Sequence, residues 1–345
     1  MKALKAKSND EIVRQSYAQL QDADAVYRQL KGQGVTRAQV RKICGLGSSG
    51  FDFDVSGVVD SALPIGEIHR RKMMDFERLK ASSLTSAVRT IRVKSNDPIG
   101  ISWLGDTHLD NDGCNMKRVL SDAKIIRDTK GLKAVSVGDH LDLWIGRLFK
   151  LYAEASTKRS DGFRLLSDYI ENQIGLENWL ALIFGNHDIW AHDGMPPLEW
   201  AQNRGVVVGK YNVRLRLLFP NGREVYVWLR HDFPGNSQWN DLHGLTKQAL
   251  MGSPNHIYIA GHKHTSGYHT EYNETNGIYW HAIRVGSYKE IDEYPEELNL
   301  KNKNTFQAPV TIIDPRATNE MQLIKFEPDL ADGADRLTWM RKRAA

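Results

Sequence analysis

Five short polar motifs, set where apolar runs give out, constrain this chain more than any other feature. They are Gly105-Asp106-Thr107-His108, Gly138-Asp139-His140-Leu141-Asp142, Gly185-Asn186-His187-Asp188, His231-Asp232 and Gly261-His262-Lys263-His264. The runs before them are Ile99–Leu104, Ala134–Val137, Trp179–Phe184, Glu224–Leu229 and His256–Ala260, and each reads as a strand by length and composition. Helical segments are expected at about 115–130, at 160–174 and at Leu198–Asn203. Strand and helix in alternation imply an α/β fold with a largely parallel sheet. Val213–Phe219 and Glu224–Leu229 flank Pro220-Asn221-Gly222-Arg223, and Asn-Gly between two apolar runs marks a hairpin. Val88–Val93 and Tyr279–Val285 are read as further strands.

The residues before this body have another character. Asn9–Leu20, Ala23–Leu30 and Arg37–Cys44 read as short helices, with Thr36 as the cap of the third and Gly45 as its stop. Helix, glycine-containing turn, helix is the helix-turn-helix pattern, and a small helical bundle shares it. The third segment carries Arg37, Arg41 and Lys42, with Gln39 available for base edges. Gly45-Leu46-Gly47-Ser48-Ser49-Gly50 has a linker's composition, and a charged helix is expected over 66–81 with His69-Arg70-Arg71-Lys72. These features divide the chain into a basic helical region over 1–87, a body over 88–328 and a basic, unstructured tail over 329–345.

A length of 345 residues accommodates that division. The formal charge of +4 is uneven: residues 1–100 hold 17 Lys and Arg against 11 Asp and Glu, so the rest carries −2. A basic leader on a slightly acidic body fits a polyanionic partner, or simply a solvated surface. No apolar run reaches bilayer length, and Met1–Leu20 lacks an apolar leader segment. With Cys44 and Cys114 as the only cysteines, a disulfide framework is excluded and a cytoplasmic location is expected.

The motifs supply carboxylate, imidazole and amide groups. Asp106 and His108 stand two residues apart, and in extended backbone such side chains project to one side. His262 and His264 repeat the spacing. Asp139, Asn186 and His231 follow other strands, and the carboxyl ends of strands are the usual functional edge of an α/β sheet. Any one motif alone reads as a turn or a satisfied polar residue. Five in one order point instead to two divalent cations held side by side, chemistry that cleaves phosphate esters.

The constellation resembles the calcineurin-like metallophosphoesterase superfamily, whose pattern is Asp-x-His, Gly-Asp-x-x-Asp, Gly-Asn-His-Asp/Glu, a lone His and Gly-His-x-His. The resemblance covers roughly residues 90–315. It implies a four-layer α/β/β/α sandwich with the site at the strand ends. It also implies one metal held by Asp106, His108 and His264, a second held by Asn186, His231 and His262, and Asp139 bridging them. The ions would be divalent, with manganese first and iron, zinc or magnesium as alternatives. His187 would stabilise developing charge or protonate the leaving oxygen, Asp188 would orient it, and Asp142 would hold the ligands in place. His140 either lines the site or is a buried structural histidine.

Departures from the pattern narrow the substrate. Leu143-Trp144 and Phe184 stand where serine/threonine phosphatases of the superfamily carry Arg-Gly after the second motif and Arg before the third, which disfavours a protein phosphatase. The basic leader and Lys263 favour nucleic acid, and Trp144, Trp190 and Trp239 are candidates to stack on bases or to pack as core or rim. A DNA nuclease is therefore the first reading, a small-nucleotide phosphatase or phosphodiesterase the second. A DNA-binding protein with a silent phosphoesterase fold is the third.

Overall fold

The computed structural model describes residues 8–46, 63–84, 88–144, 155–190, 198–237, 239–291 and 304–343. Residues 47–50 of the expected linker lie outside them. The chain divides into two compact units, Met1–Met74 and Asp75–Ala345, with the helix Ile65–Leu84 running through the division. Among the described residues no helix is long and apolar enough to cross a membrane.

In the first unit the helices Asn9–Leu20, Ala23–Leu30 and Arg37–Ile43 bury Val13, Ala23, Val26, Leu30 and Val40 together. Ser8 with Glu11 and Thr36 with Gln39 form reciprocal capping boxes, which satisfy backbone N–H groups that a short helix cannot pair itself. Gln39, named as available for base edges, takes part in this cap: its Oε1 accepts the backbone N–H of Thr36. Arg37 is committed as well, with Nε 2.8 Å from the Asp24 carboxylate.

The second unit is built on two six-stranded sheets. The strands are β1 (Arg89–Arg92), β2 (Ile99–Leu104), β3 (Leu132–Ser136), β4 (Trp179–Ile183), β5 (Val207–Gly209), β6 (Asn212–Leu218), β7 (Glu224–Arg230), β8 (Ile257–Ala260), β9 (Gly267–Asn273), β10 (Ile278–Arg284), β11 (Val310–Ile313) and β12 (Ile324–Glu327). One sheet runs β12-β11-β2-β3-β4-β5 and the other β1-β6-β7-β8-β10-β9. In the first, β2, β3, β4 and β5 are parallel, while β11 pairs antiparallel to β2 and to β12. The second is mixed, with the β6–β7 hairpin closed by Pro220-Asn221-Gly222-Arg223.

Period-two alternation makes the layers. Val213, Leu215 and Leu217 of β6 and Val225, Val227 and Leu229 of β7 meet Ile101, Trp103, Val135, Val137, Ala181 and Ile183 of the other sheet in one core. The helices Met116–Asp128, Arg159–Asp168 and Leu330–Lys342 contribute to a core that takes in Leu104, Leu132 and Leu182 of the first sheet. His243–Met251 packs with Trp228, Tyr258 and Trp280 of the second. The order is therefore helix, sheet, sheet, helix. The C-terminal segment, expected as an unstructured tail, is a helix: Leu330, Ala334 and Leu337 recur at helical spacing and are buried, and Asp329 caps the first turn.

Candidate metal centre

All five motifs follow the carboxyl ends of strands: β2, β3 and β4 in one sheet, β7 and β8 in the other. The ends are stitched across the sheets. Asp106 N–H donates to Gly138 O at 2.8 Å, Gly261 N–H to His231 O at 3.1 Å, and the His231 ring Nδ1 lies 2.8 Å from Val137 O. Gly138 and Gly185 permit the closest approach. Gly138 has φ 103°, and a Cβ there would run into the Gly185 backbone, while a Cβ on Gly185 would run into the Asp139 carboxylate.

The turns are not extended backbone. Asp106, His108, Asp139, His262 and His264 have φ of 50°, 43°, 54°, 71° and 49°, a left-handed region that non-glycine residues seldom occupy. Strain of this kind collects where a site dictates side-chain direction. It also corrects the expected geometry, because alternation along a strand is not what aims these side chains. His262 and His264 in fact turn into different clusters.

Ligand atoms of Asp106, His108 and His264 fall within 4.8 Å of one another, as do those of Asp139, His231 and His262. In the first group, Nε2 of His108 and Nε2 of His264 are 3.1 Å apart. In the second, His231 Nε2 stands 3.1 Å from Asp139 Oδ2, 3.1 Å from His262 Nδ1 and 3.0 Å from Asn186 Oδ1. His262 N–H donates to Asp106 Oδ2 at 2.8 Å, which joins the groups. His187 sits beside both, with its ring 5.1 Å from that of His108 and Nε2 3.9 Å from Asp139 Oδ2.

Behind the groups lies a layer of orienting contacts. Asp142 Oδ1 meets His108 Nδ1 at 2.6 Å, and its other oxygen accepts from Asn111 at 2.5 Å. Asp110 in turn accepts the backbone N–H of Asp142. Asp188 does not orient His187, contrary to expectation. Its carboxylate accepts the backbone N–H groups of Asp139, His140 and Gly185 and pairs with His140 Nδ1 at 3.0 Å. It therefore ties the β3 turn to the β4 turn, with His140 wholly buried as a structural partner. His187 Nδ1 is held by the carbonyl oxygen of Asp142 at 2.5 Å. Arg284, fully buried, bonds Asp232, Asp241 O and Gly261 O, and so braces the segments that carry His231 and His262.

These donors fit divalent cations. Facing ring nitrogens at 3.1 Å cannot both carry protons, and Asp106 Oδ1 is buried without a hydrogen-bond partner; a cation satisfies lone pairs that protons cannot share. The electrostatics agree. Burial pushes Asp106 up to about 7, which a neighbouring positive charge would reverse. Burial also pulls on His231 and His108, yet Asp139 holds the first and Asp142 the second at about 9. Burial keeps His264, His262 and His187 below the ordinary imidazole value, hence neutral and able to offer a lone pair.

The structure thus brings together Asp106, His108, Asp139, Asn186, His187, His231, His262 and His264, and places Asp188 behind them. Of the tryptophans, Trp144 meets the His187 ring edge-on at 4.6 Å, Trp239 is 93% exposed, and the Trp190 side chain lies outside the described residues. Asp110, Asn111, Arg284 and Lys289 are missed by sequence reasoning. Asp110 and Asn111 follow His108 directly, which was a usable signal; Arg284 closes an apolar strand and gave none. Lys289 stands 5.7 Å over the Trp144 ring.

No protein-family model and no curated protein matches the chain. A calcineurin-like phosphoesterase stands among its structural neighbours. This is YfkN from Bacillus subtilis, 12% identical, covering 72% of this chain and 97% of its own, with a TM-score of 0.35. Vps29 from Chaetomium thermophilum is 12% identical, covering 66% and 96%, at TM-score 0.33. The NAD nucleotidase of Haemophilus influenzae is 9% identical, covering 66% and 49%, at TM-score 0.34. What the site does has to be read from its own atoms.

Proposed function

We propose that the protein is a two-metal phosphoesterase that hydrolyses phosphodiester bonds, with nucleic acid as the substrate class. The observation that carries this reading is the pair of carboxylate–imidazole groups at adjoining strand ends, joined through His262 N–H and Asp106. Asp106, His108 and His264 would hold one divalent cation and Asn186, His231 and His262 the other, with Asp139 between them. When bound, such a pair polarises a phosphoryl oxygen and lowers the pKa of water. Manganese is the first choice for this mixed nitrogen and oxygen set.

The chain's own residues supply the rest. Because His187 Nδ1–H is committed to the Asp142 carbonyl, Nε2 is the nitrogen left to face the reaction, and it would protonate the leaving oxygen only after itself taking up a proton to form the imidazolium. Trp144 packs edge-on to the His187 ring and limits its rotation. Lys263 and Lys289 bring positive charge near a site whose ligands include two carboxylates, which supports a polyanionic substrate. The complete ligand set speaks against a silent fold.

The test is metal content of the purified protein, read with hydrolysis of bis(4-nitrophenyl) phosphate before and after chelation. Two ions per chain and activity restored by Mn²⁺ are expected. Full activity in excess chelator would overturn the reading. Cyclic nucleotides cleaved while linear and circular DNA stay intact would move the substrate class to small nucleotides.

A further inference from the structure

Residues 232–237 and 239–242 lie between the His231 turn and the helix His243–Met251. They are held with unusual care for a surface loop. Arg284 grips both ends, donating from Nη2 to Asp232 Oδ1 and from Nε to Asp241 O, each at 2.9 Å. The same guanidinium bonds Gly261 O, one residue before His262. Lys263, which lies between His262 and His264, reaches across to Asn236 Oδ1 at 2.9 Å and Gly235 O at 3.4 Å. Ser237 Oγ accepts the N–H groups of Trp239 and Asn240, and Asn240 Oδ1 accepts that of Leu242.

This scaffold ends in an indole left almost wholly to solvent. Trp239 is 93% exposed, more than any other large apolar side chain among the described residues. Tryptophan commonly buries 150–250 Å² and stabilises a fold by doing so. Trp239 does neither, so core packing does not account for it. The loop backbone is anchored to both ligand-bearing turns, through Arg284 to Asp232 and Gly261 and through Lys263 to Gly235 and Asn236. Lys263 meets only the neutral oxygens of Gly235 and Asn236 among the described residues, so the loop also carries a positive charge with no ion-pair partner there. A flat aromatic face and an unpaired cation carried on one anchored loop match a nucleobase with its phosphate.

We infer that this loop is a nucleobase-binding platform of the metal site, on which Trp239 stacks an unpaired base of a polynucleotide strand while Lys263 attends its phosphate. The inference rests on the phosphoesterase reading and extends it to a substrate subsite. Stacking of this kind tolerates any base, so the platform selects single strands without selecting sequence.

The test uses the full-length protein with Trp239→Ala and Trp239→Phe. Anisotropy of a fluorescein-labelled single-stranded oligothymidylate, measured in EDTA, reads binding without turnover. Trp239→Ala should weaken it about tenfold, the scale of one lost base stack, and Trp239→Phe should keep most of it. With Mn²⁺ present, the ratio of kcat/KM for the oligonucleotide to that for bis(4-nitrophenyl) phosphate should fall by a similar factor in Trp239→Ala. An unmoved ratio overturns the platform, as does a wild type that cleaves the aryl ester but no oligonucleotide. Sedimentation showing a wild-type dimer that Trp239→Ala dissociates would overturn it too, by assigning the indole to a second copy. If the aryl ester is not cleaved at all, the metal-site reading fails, and the anisotropy still decides the platform.

Discussion

The strand β8 separates two sets of histidines. Beyond its carboxyl end lie His262 and His264, and with them His231 and His108, each set against a carboxylate. Before its amino end lies His256, whose carbonyl accepts the N–H of His281 at 2.8 Å. Among the described residues neither His256 nor His281 has a carboxylate beside it: burial, with Arg223 near the first and His256 and Lys325 near the second, lowers both to about 4. At the other end burial pulls the same way, but Asp139 and Asp142 win and lift His231 and His108 to about 9. Burial alone therefore makes a neutral structural imidazole. Burial with carboxylates makes a cluster that competes for positive charge, which is what a cation site requires.

The largest effect should come from removing the shared carboxylate. Asp139→Asn keeps the shape and takes away the negative charge that faces His231 and His187. Metal-dependent hydrolysis should fall about a thousandfold, equivalent to ~4 kcal/mol of barrier, with far-ultraviolet circular dichroism unchanged. Activity within about tenfold of the wild type would break the contrast, because Asp139 would then be no different from any buried polar group.

Acid should act at the opposite end. The unfolded chain protonates His256 and His281 near 6.5, whereas the folded protein refuses those protons until about 4. Stability is therefore fully present above about 6.5 and declines as pH falls toward 4, by roughly 3 kcal/mol for the first of the pair. Urea titrations in chelator at pH 7 and pH 4.5 measure it. Replacing His256 with glutamine, which does not titrate, should flatten the slope. An unaltered slope would place the acid sensitivity elsewhere.

This contrast also shows why the site was legible in the sequence and other parts were not. Glycine, then carboxylate or imidazole, after an apolar run is local information, and it located Asp106, Asp139, Asn186 and His262 with their strands. His256 follows no such pattern; it lies just ahead of an apolar strand, where its neighbours come from β7 and β10, and only pairing reveals them. Asp188 looked like a partner for its neighbour His187, but it reaches back to the β3 turn instead. The strands β9, β11 and β12 escaped notice, β9 because it is largely exposed and polar. The C-terminal helix escaped because its basic end masked the apolar stripe of Leu330, Ala334 and Leu337.

A smaller effect belongs to Asp142, which touches a ligand rather than the cation. Asp142→Asn should leave all seven proposed ligands in place and lower metal affinity by 10- to 100-fold, the usual loss when a histidine ligand loses its carboxylate partner. Competition with a chromophoric chelator measures it directly. Excess Mn²⁺ should restore much of the activity, which it should not do for Asp139→Asn. Equal behaviour of the two variants would mean that Asp142 binds metal itself, as its place beside His108 and His187 also allows.

The smallest effect lies at the histidine pair. Tyr268 Oη stands 2.9 Å from His281 Nδ1, and its ring stacks on Phe326 with centroids 3.9 Å apart. Tyr268→Phe keeps the stack and removes one hydrogen bond, so it should cost about 1 kcal/mol of stability at neutral pH. Metal affinity and kcat should stay unchanged, because the bond lies at the strand end that carries no cation ligands. In the double variant with Asp142→Asn, stability and metal affinity should each equal the sum of the single changes, as expected for sites with no shared partners. A coupling above about 0.5 kcal/mol would show that the two histidine sets communicate through β8 and β10, and the division between structural and cation-binding imidazoles would then have to be redrawn.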